Sequence, residues 1–355
     1  MQDIDTHLKE IIRLHFDEDS GAPYWVNKQS ELSFDPLSDI NSIEDLQLFH
    51  EDEHYNQFPA DKLKSEPKSF IPQKYGNQDY RLYSSGGRTG EPKWTAWVNN
   101  GGWDLLINRI DYQLDSDNVS SGGDWAYIGP TGPHPFGYFT RELAIQRDGQ
   151  FLTIDLDPRW VRKTKTDNTL AENGVGKRYI EHLQSQTKPL LSQYGRDIGT
   201  IVSTPTVIGM LVENDALQPL NLDAVIFAGQ AMKPENYQAL DHKLDAPILG
   251  WYGNTLTGIA PQQGFNSETG EILYQPVPSL AVPEIVQDTE TFETVEYGSR
   301  GRVLVHILRE GLFAPYHVES DAATRINTST DSQIDGVANP DIPQDKTDDI
   351  ESGVY

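Results

Sequence analysis

The sequence predicts an α/β protein, in which strands alternate with helices. Three observations carry that reading. Apolar runs end in polar glycine turns, as in "LDAVIFAGQAM" and "APILGWYGNTLTG". Runs with helical spacing, such as "GKRYIEHLQSQTKPLLSQY", stand between them. The chain has 355 residues, 37% hydrophobic, with material for a large buried core in one large domain or two to three small ones.

The elements follow in order. Ile4, Leu8, Ile11, Ile12 and Phe16 recur at helical spacing and predict a short amphipathic helix over 5–16. Residues 31–68 are acidic and broken, with a short helix in "SIEDLQLF" capped by Ser42 with Glu44 or Asp45. "YSSGGRTGEPKW", from Tyr83 to Trp94, is too polar and glycine-rich for a strand and reads as a loop. "AWVNNGGWDLLINRIDYQL" reads as a helix, and "GDWAYIGPTGPHPFGYF" as a loop dense in Gly, Pro and aromatics. "QFLTIDLD" alternates like a strand, "GTIVSTPTVIGMLVEN" runs strand, turn, helix, and "RGRVLVHIL" is a strand. From Asp331 the last 25 residues hold seven carboxylates and one lysine, and predict a disordered acidic tail after a domain over 1–330.

Composition narrows the chemistry. There is no cysteine, so disulfides, thiolate catalysis and Cys-ligated metals are excluded. A net charge of −26 repels phosphate backbones and anionic lipids, so neither nucleic acid nor membrane is an expected partner. No apolar run approaches a membrane span, and the amino terminus lacks the pattern of a signal peptide; the expectation is a cytoplasmic enzyme.

Ligands in α/β folds bind at the carboxyl ends of strands. Three turns are candidates: Ser85–Lys93, Gly229–Met232 and Tyr252–Thr257. In the first, glycines tolerate the positive φ that turns successive N–H groups toward one point. Ser84, Ser85 and Thr89 add hydroxyls, and Arg88 and Lys93 add charge. Such a nest suits a polyphosphate. It matches neither the Walker A nor the Rossmann spacing, and a plain surface turn is the alternative.

"SSGGRTGEPK" resembles the signature loop of adenylate-forming enzymes, through Ser85, Gly87, Thr89, Gly90, Pro92 and Lys93, with Gly86 and Arg88 as departures. "DPLSDINSIEDLQLF" looks like the amino-terminal segment of the phenylacetate–CoA ligase branch, and "PHPFGYF" is similar to its aromatic substrate-side motif. "FAGQAM" occupies the place of the adenine-contacting turn. "WYGNTLTG" resembles the Tyr-Gly-x-Thr-Glu motif, and "YHVESDAATRI" the ribose-binding motif. The likeness spans residues 30 to 326.

The resemblance implies the large amino-terminal domain of such an enzyme, with mixed sheets flanked by helices and without its carboxyl-terminal lid. It implies ATP-dependent activation of an aromatic carboxylic acid, a phenazine carboxylate being one expectation, as acyl-AMP with release of pyrophosphate. ATP and Mg²⁺ are the implied cofactors, and a downstream acceptor or reductase protein the implied partner. Ser85, Gly86, Gly87, Arg88, Thr89 and Gly90, with Lys93, would cradle the β- and γ-phosphates. Thr255 would donate to the α-phosphate. Gly229, Gln230, Ala231 and Tyr252 would hold adenine, beside Gly253 and Asn254 of the same turn. Asp321 would bind the ribose. His134 would stand near the reacting carboxylate, with Phe136, Gly137 and Tyr138 in the acid pocket; ordinary loop packing is the alternative for these. Leu256 departs from the family, which has a magnesium-binding glutamate there; leucine cannot ligate a metal.

Two rival functions remain. One is a non-catalytic subunit binding a nucleotide or aryl acid, consistent with Leu256 and the implied lack of a lid. The other is a zinc hydrolase, since His50 and His54 in "HEDEH" flank Glu51 at zincin spacing. An exposed acidic face is the preferred reading of that segment, since Asp52 and Glu53 intervene and no third ligand stands at a recognisable spacing, and no metal site is assigned. Trp94, Trp97, Trp103 and Trp125 are expected in the core, and Arg300 and Arg302 in surface pairs.

Overall fold

A computed structural model describes residues 3–87, 90–328 and 334–343. The strands are β1 (Tyr80–Ser84), β2 (Trp94–Val98), β3 (Asp124–Gly129), β4 (Phe151–Asp155), β5 (Ile198–Ser203), β6 (Ala224–Ala228) and β7 (Ile248–Asn254). They continue as β8 (Gly258–Asn266), β9 (Glu271–Tyr274), β10 (Ala281–Val286), β11 (Arg300–Arg309), β12 (Leu312–Ile326) and β13 (Gly336–Asp341). β1 and β2 form an antiparallel hairpin of their own. The other eleven make one mixed sheet in the order β10-β11-β12-β13-β9-β8-β7-β6-β5-β3-β4. The run from β4 to β7 is parallel; beyond β7 every pairing is antiparallel.

The parallel strands are apolar on both faces because both faces are covered. Trp125 and Tyr127 of β3, with Ala224 and Ile226 of β6, pack in a cluster with Leu106 and Ile110 of the helix Gly102–Ser116 and Phe139 and Leu143 of the helix Pro135–Gln146. Their neighbours Ala126, Ile128, Val225 and Phe227 face the opposite cluster, with Leu183 and Leu191 of Val175–Tyr194. The amino-terminal helix runs Ile4–Phe16, with Asp3 as its cap accepting from the Thr6 N–H at 3.1 Å. In "SIEDLQLF" the order is a 3₁₀ turn, Glu44–Leu46, then a helix, Gln47–Glu51. No helix among the described residues is long and apolar enough to cross a membrane.

Three readings need correction. The stretch expected to be helical from Ala96 begins inside β2, and the helix starts only at Gly102, after a turn in which Asn100 has φ of 51°. The segment read as a Gly/Pro loop opens with β3 and closes in a helix with Pro135 at its first turn, where the missing N–H costs nothing. Only residues 130–134 between them are loop. Within the expected tail, Gly336–Asp341 is a strand between β12 and β9, with Ala338 opposite Thr324 and Leu273. The rest of that segment lies largely outside the described residues. Trp97, Trp103 and Trp125 are buried as expected, and Trp94 is partly so.

Candidate active site

The three turns converge. A cavity of about 450 Å³ opens beyond the carboxyl ends of β3, β6 and β7. Ser85, Gly86, Gly87 and Lys93 reach it from the β1–β2 hairpin, Ala228 and Gly229 from β6, and Tyr252 to Leu256 from the β7–β8 turn. β12 closes the fourth side with His317 to Asp321.

The glycine loop is held at its base. Ser85 N–H donates to the Lys93 carbonyl at 2.8 Å, and Lys93 N–H to Ser85 Oγ at 3.0 Å. Gly87 has φ of 65°, and a Cβ there would lie 2.7 Å from the Gly90 carbonyl oxygen, so only glycine fits without strain. Arg162 donates from Nη1 to the Gly87 carbonyl. Arg88 and Thr89 lie outside the described residues; Gly90 is described but is not among the residues lining the cavity.

The hairpin shares no ladder with the main sheet, and side chains dock it instead. Arg309, at the end of β11, donates to the Ala96 carbonyl at 2.8 Å and to Thr95 Oγ1 at 2.9 Å. Its guanidinium lies 4.0 Å from the centre of the Trp97 ring. Trp97 Nε1 donates to the Thr255 carbonyl at 3.0 Å, and Thr255 Oγ1 to the Ser84 carbonyl at 3.4 Å. The glycine loop and the β7–β8 turn are thus tied face to face. The turn is shaped by Asn254, whose Oδ1 accepts from the N–H groups of Leu256 and Thr257 at 2.8 and 3.2 Å.

One end of the cavity is apolar and aromatic. Phe136 and Phe139 meet Trp251 edge-on at 5.9 and 5.7 Å, and Trp97 packs over Gly258, where a Cβ would lie 3.0 Å from the indole. His134 stands between the aromatic end and the glycine loop: a Cβ on Gly86 would lie 3.9 Å from its Cε1. His134 is buried, its Nε2 has no partner among the described residues, and burial, followed by the nearby Arg159, pushes its pKa down to about 4. It is a neutral imidazole at pH 7. Gly137 and Tyr138 do not line the cavity. Gly137 is packed against the Pro130 carbonyl, and Tyr138 is exposed beside Tyr83. Gln230 and Ala231 line adjoining clefts next to Tyr252 and Asp321.

Of the β12 wall, the sequence reading places only Asp321 in the site; His317 to Ser320, with Arg302 of β11, join it through the strand pairing. Leu304 of β11 pairs with Val318, and Arg302 with Ala322. Two steps along β11 therefore match four along β12, and the two extra residues form a bulge. Bulges re-aim side chains beside functional sites; here Glu319, Ser320 and Asp321 all face the cavity. Arg302, expected in a surface pair, lines the cavity and donates from Nη2 to the Glu319 carbonyl at 3.0 Å across the bulge. Arg300 bonds the Asn339 and Ala322 carbonyls. Asp321 Oδ2 accepts from Tyr252 Oη at 3.4 Å. Glu319 Oε1 accepts from Asn254 Nδ2 at 2.8 Å and lies 3.5 Å from His317 Nε2.

These carboxylates are hard oxygen donors of the kind Mg²⁺ takes, but no group of three or more metal-ligating side chains occurs among the described residues. Glu319 and Asp321, which line the cavity, suit a cation that takes its remaining donors from other oxygens or water. The zincin spacing is not realised. The helix ends at Glu51, leaving His54 beyond it, and His50 is bonded to Asn56 and stacked on Tyr316.

No family model and no curated protein matches the chain. Solved structures do. An open conformation of 2-hydroxyisobutyryl-CoA ligase in complex with 2-HIB-AMP and CoA superimposes with a TM-score of 0.63 at 13% identity, over 96% of this chain and 73% of that one. The same ligase in the postadenylation state, with R3-HIB-AMP, gives 0.65 at 13% identity over 96% and 66%. At that identity the likeness speaks for the fold: a large mixed α/β sheet matching most of the amino-terminal domain of an adenylate-forming ligase.

Proposed function

We propose that the chain activates an aromatic carboxylic acid with ATP. The observation that supports this best is the convergence of the Ser85–Lys93 loop, the β7–β8 turn and Asp321 on one cavity whose other end is aromatic. The acid's carboxylate oxygen forms a bond to the α-phosphorus, the bond from that phosphorus to the bridging oxygen breaks, and pyrophosphate leaves with the electron pair. Such chemistry needs positioning and charge stabilisation more than covalent help. In this reading Ser85 to Gly90 and Lys93 hold the β- and γ-phosphates. Thr255 donates to the α-phosphate, Tyr252 with Gly229 to Ala231 holds adenine, and Asp321 accepts from the ribose. Neutral His134 contacts the acid's carboxylate, with Phe136 against its ring. Mg²⁺, when bound, neutralises phosphate charge. A phenazine carboxylate as substrate, membership of the phenylacetate–CoA ligase branch and a separate acceptor or reductase belong to the same reading.

The test is ATP–pyrophosphate exchange with a panel of aromatic acids, beside calorimetry of ATP binding. Exchange with at least one aromatic acid, and a loss of ATP affinity in Lys93→Ala, are the expected results. ATP binding without exchange would favour the second reading, a non-catalytic binding subunit, for which Leu256 in the β7–β8 turn is the supporting feature. No ATP binding at all would sink the first reading and leave only the aryl-acid form of the second.

A further inference from the structure

The pocket proposed for a polyphosphate carries anions of its own. Among its described lining residues, Glu91, Glu319 and Asp321 stand against only two cations, Lys93 and Arg302. Arg302 already donates to the Glu319 carbonyl. Glu319 is well enclosed: its side chain is 11% exposed, and that of His317 beside it is 2%. A glutamate side chain is ordinarily ionised at neutral pH, and Asn254 and His317 stand where they donate to the charged form. Its Oε1 is occupied by Asn254 and His317. Its Oε2 takes no hydrogen bond among the described residues.

A metal-free triphosphate entering here would meet a fixed, nearly dry negative charge, where repulsion is little screened. The β7–β8 turn offers no relief, because Leu256 is apolar. A divalent cation carried on the phosphates reverses the sign of the encounter. Mg²⁺ is commonly held in this way, by one or two carboxylates plus phosphate oxygens and water.

We propose that Glu319, delivered by the β12 bulge, makes nucleotide binding depend on a divalent cation, its Oε2 facing the cation on the bound polyphosphate. This rests on the reading of the cavity as a nucleotide site. Glu319 also steadies the Asn254 turn, so the variant must remove charge while keeping that bond. Glu319→Gln does so, since the amide oxygen still accepts from Asn254.

The test is calorimetry of ATP binding with excess EDTA and with excess MgCl₂, on the natural chain and on E319Q. The natural chain should bind ATP at least tenfold more tightly with Mg²⁺. E319Q should bind metal-free ATP more tightly than the natural chain and lose most of the Mg²⁺ effect. Water-proton relaxation with Mn²⁺ and ATP gives a second readout, and its enhancement on protein binding should fall in E319Q. Should E319Q not fold, Glu319→Asp keeps the charge and retracts it by one methylene; it should retain the preference for Mg²⁺ but weaken Mg²⁺–ATP binding severalfold. ATP bound equally well with and without Mg²⁺, or a Mg²⁺ effect unchanged in both variants, overturns the inference and leaves the nucleotide site standing. ATP bound under neither condition overturns the nucleotide site itself, and this inference with it.

Discussion

His15 should make the protein sensitive to mild acid. It lies on the buried side of the amino-terminal helix, with no exposed surface. Its Nε2 is 3.0 Å from the Arg309 carbonyl oxygen, so that nitrogen carries the proton and donates. Its Nδ1 is buried without a partner. Burial, together with the charge of Arg309, drives its pKa from 6.5 to about 3. The unfolded chain therefore takes up a proton near pH 6.5 that the folded chain refuses until about pH 3. Stability is full above pH 7 and falls as the pH drops through that window, by about 1.4 kcal/mol per unit once well below 6.5. Between pH 8 and pH 5 the loss from His15 comes to about 2 kcal/mol. His134, with its pKa at about 4, adds a similar amount by the same sign. Ionised carboxylates such as Glu319 contribute only at lower pH, because their stabilisation is lost as the pH falls toward their depressed values. Denaturant unfolding at pH 8 and pH 5, followed by tryptophan fluorescence, measures this; the Trp25 ring lies 5.1 Å from Phe313, which also touches His15. His15→Gln keeps a donor for the Arg309 carbonyl and cannot charge, so it should remove about half of the acid loss. A natural chain equally stable at both pH values, or an H15Q variant with the same acid loss, would refute the reasoning.

Other expectations concern the docking of the glycine loop. Trp97→Phe removes the donor to the buried Thr255 carbonyl at a cost of about 1–3 kcal/mol, and should speed amide hydrogen exchange at Ser84, Ser85 and Lys93. Unchanged exchange at those amides would mean that the hairpin is held by other contacts. Arg302→Met frees the Glu319 carbonyl and should weaken ATP binding in calorimetry while leaving the thermal midpoint within a few degrees. Gly253→Ala places a side chain at φ of 140° with its Cβ 1.9 Å from the Gly258 carbonyl oxygen; opening of the β7–β8 turn should lower stability by about 2 kcal/mol or more, read from the denaturant midpoint.

Much of the parallel half of the fold was legible in the sequence. "AVIFA" and the run into "WYGN" are apolar on both faces and end in glycine, a pattern that buried parallel strands require. The glycine loop was legible too, because its composition leaves the backbone little else to do. The errors fell where local chemistry is ambiguous. "TAWV" suits a buried helix face as well as a strand, and only pairing with Tyr80–Ser84 makes it β2. Gly336–Asp341 has too few apolar residues to predict order, yet it bonds into a gap between β9 and β12 that the rest of the sheet has already built.

By itself, then, the sequence determined which segments could offer backbone to a phosphate and which aromatics could wall a pocket. Whether they met was decided by the tertiary structure. Arg309 and Trp97 set the hairpin against the β7–β8 turn from more than 150 residues away in the case of Thr255. The bulge in β12 depends on a mismatch of register with β11, so Glu319 enters the cavity through a property of the pair of strands. Register arises from hydrogen bonds between segments distant in the chain, and no single segment's periodicity contains it.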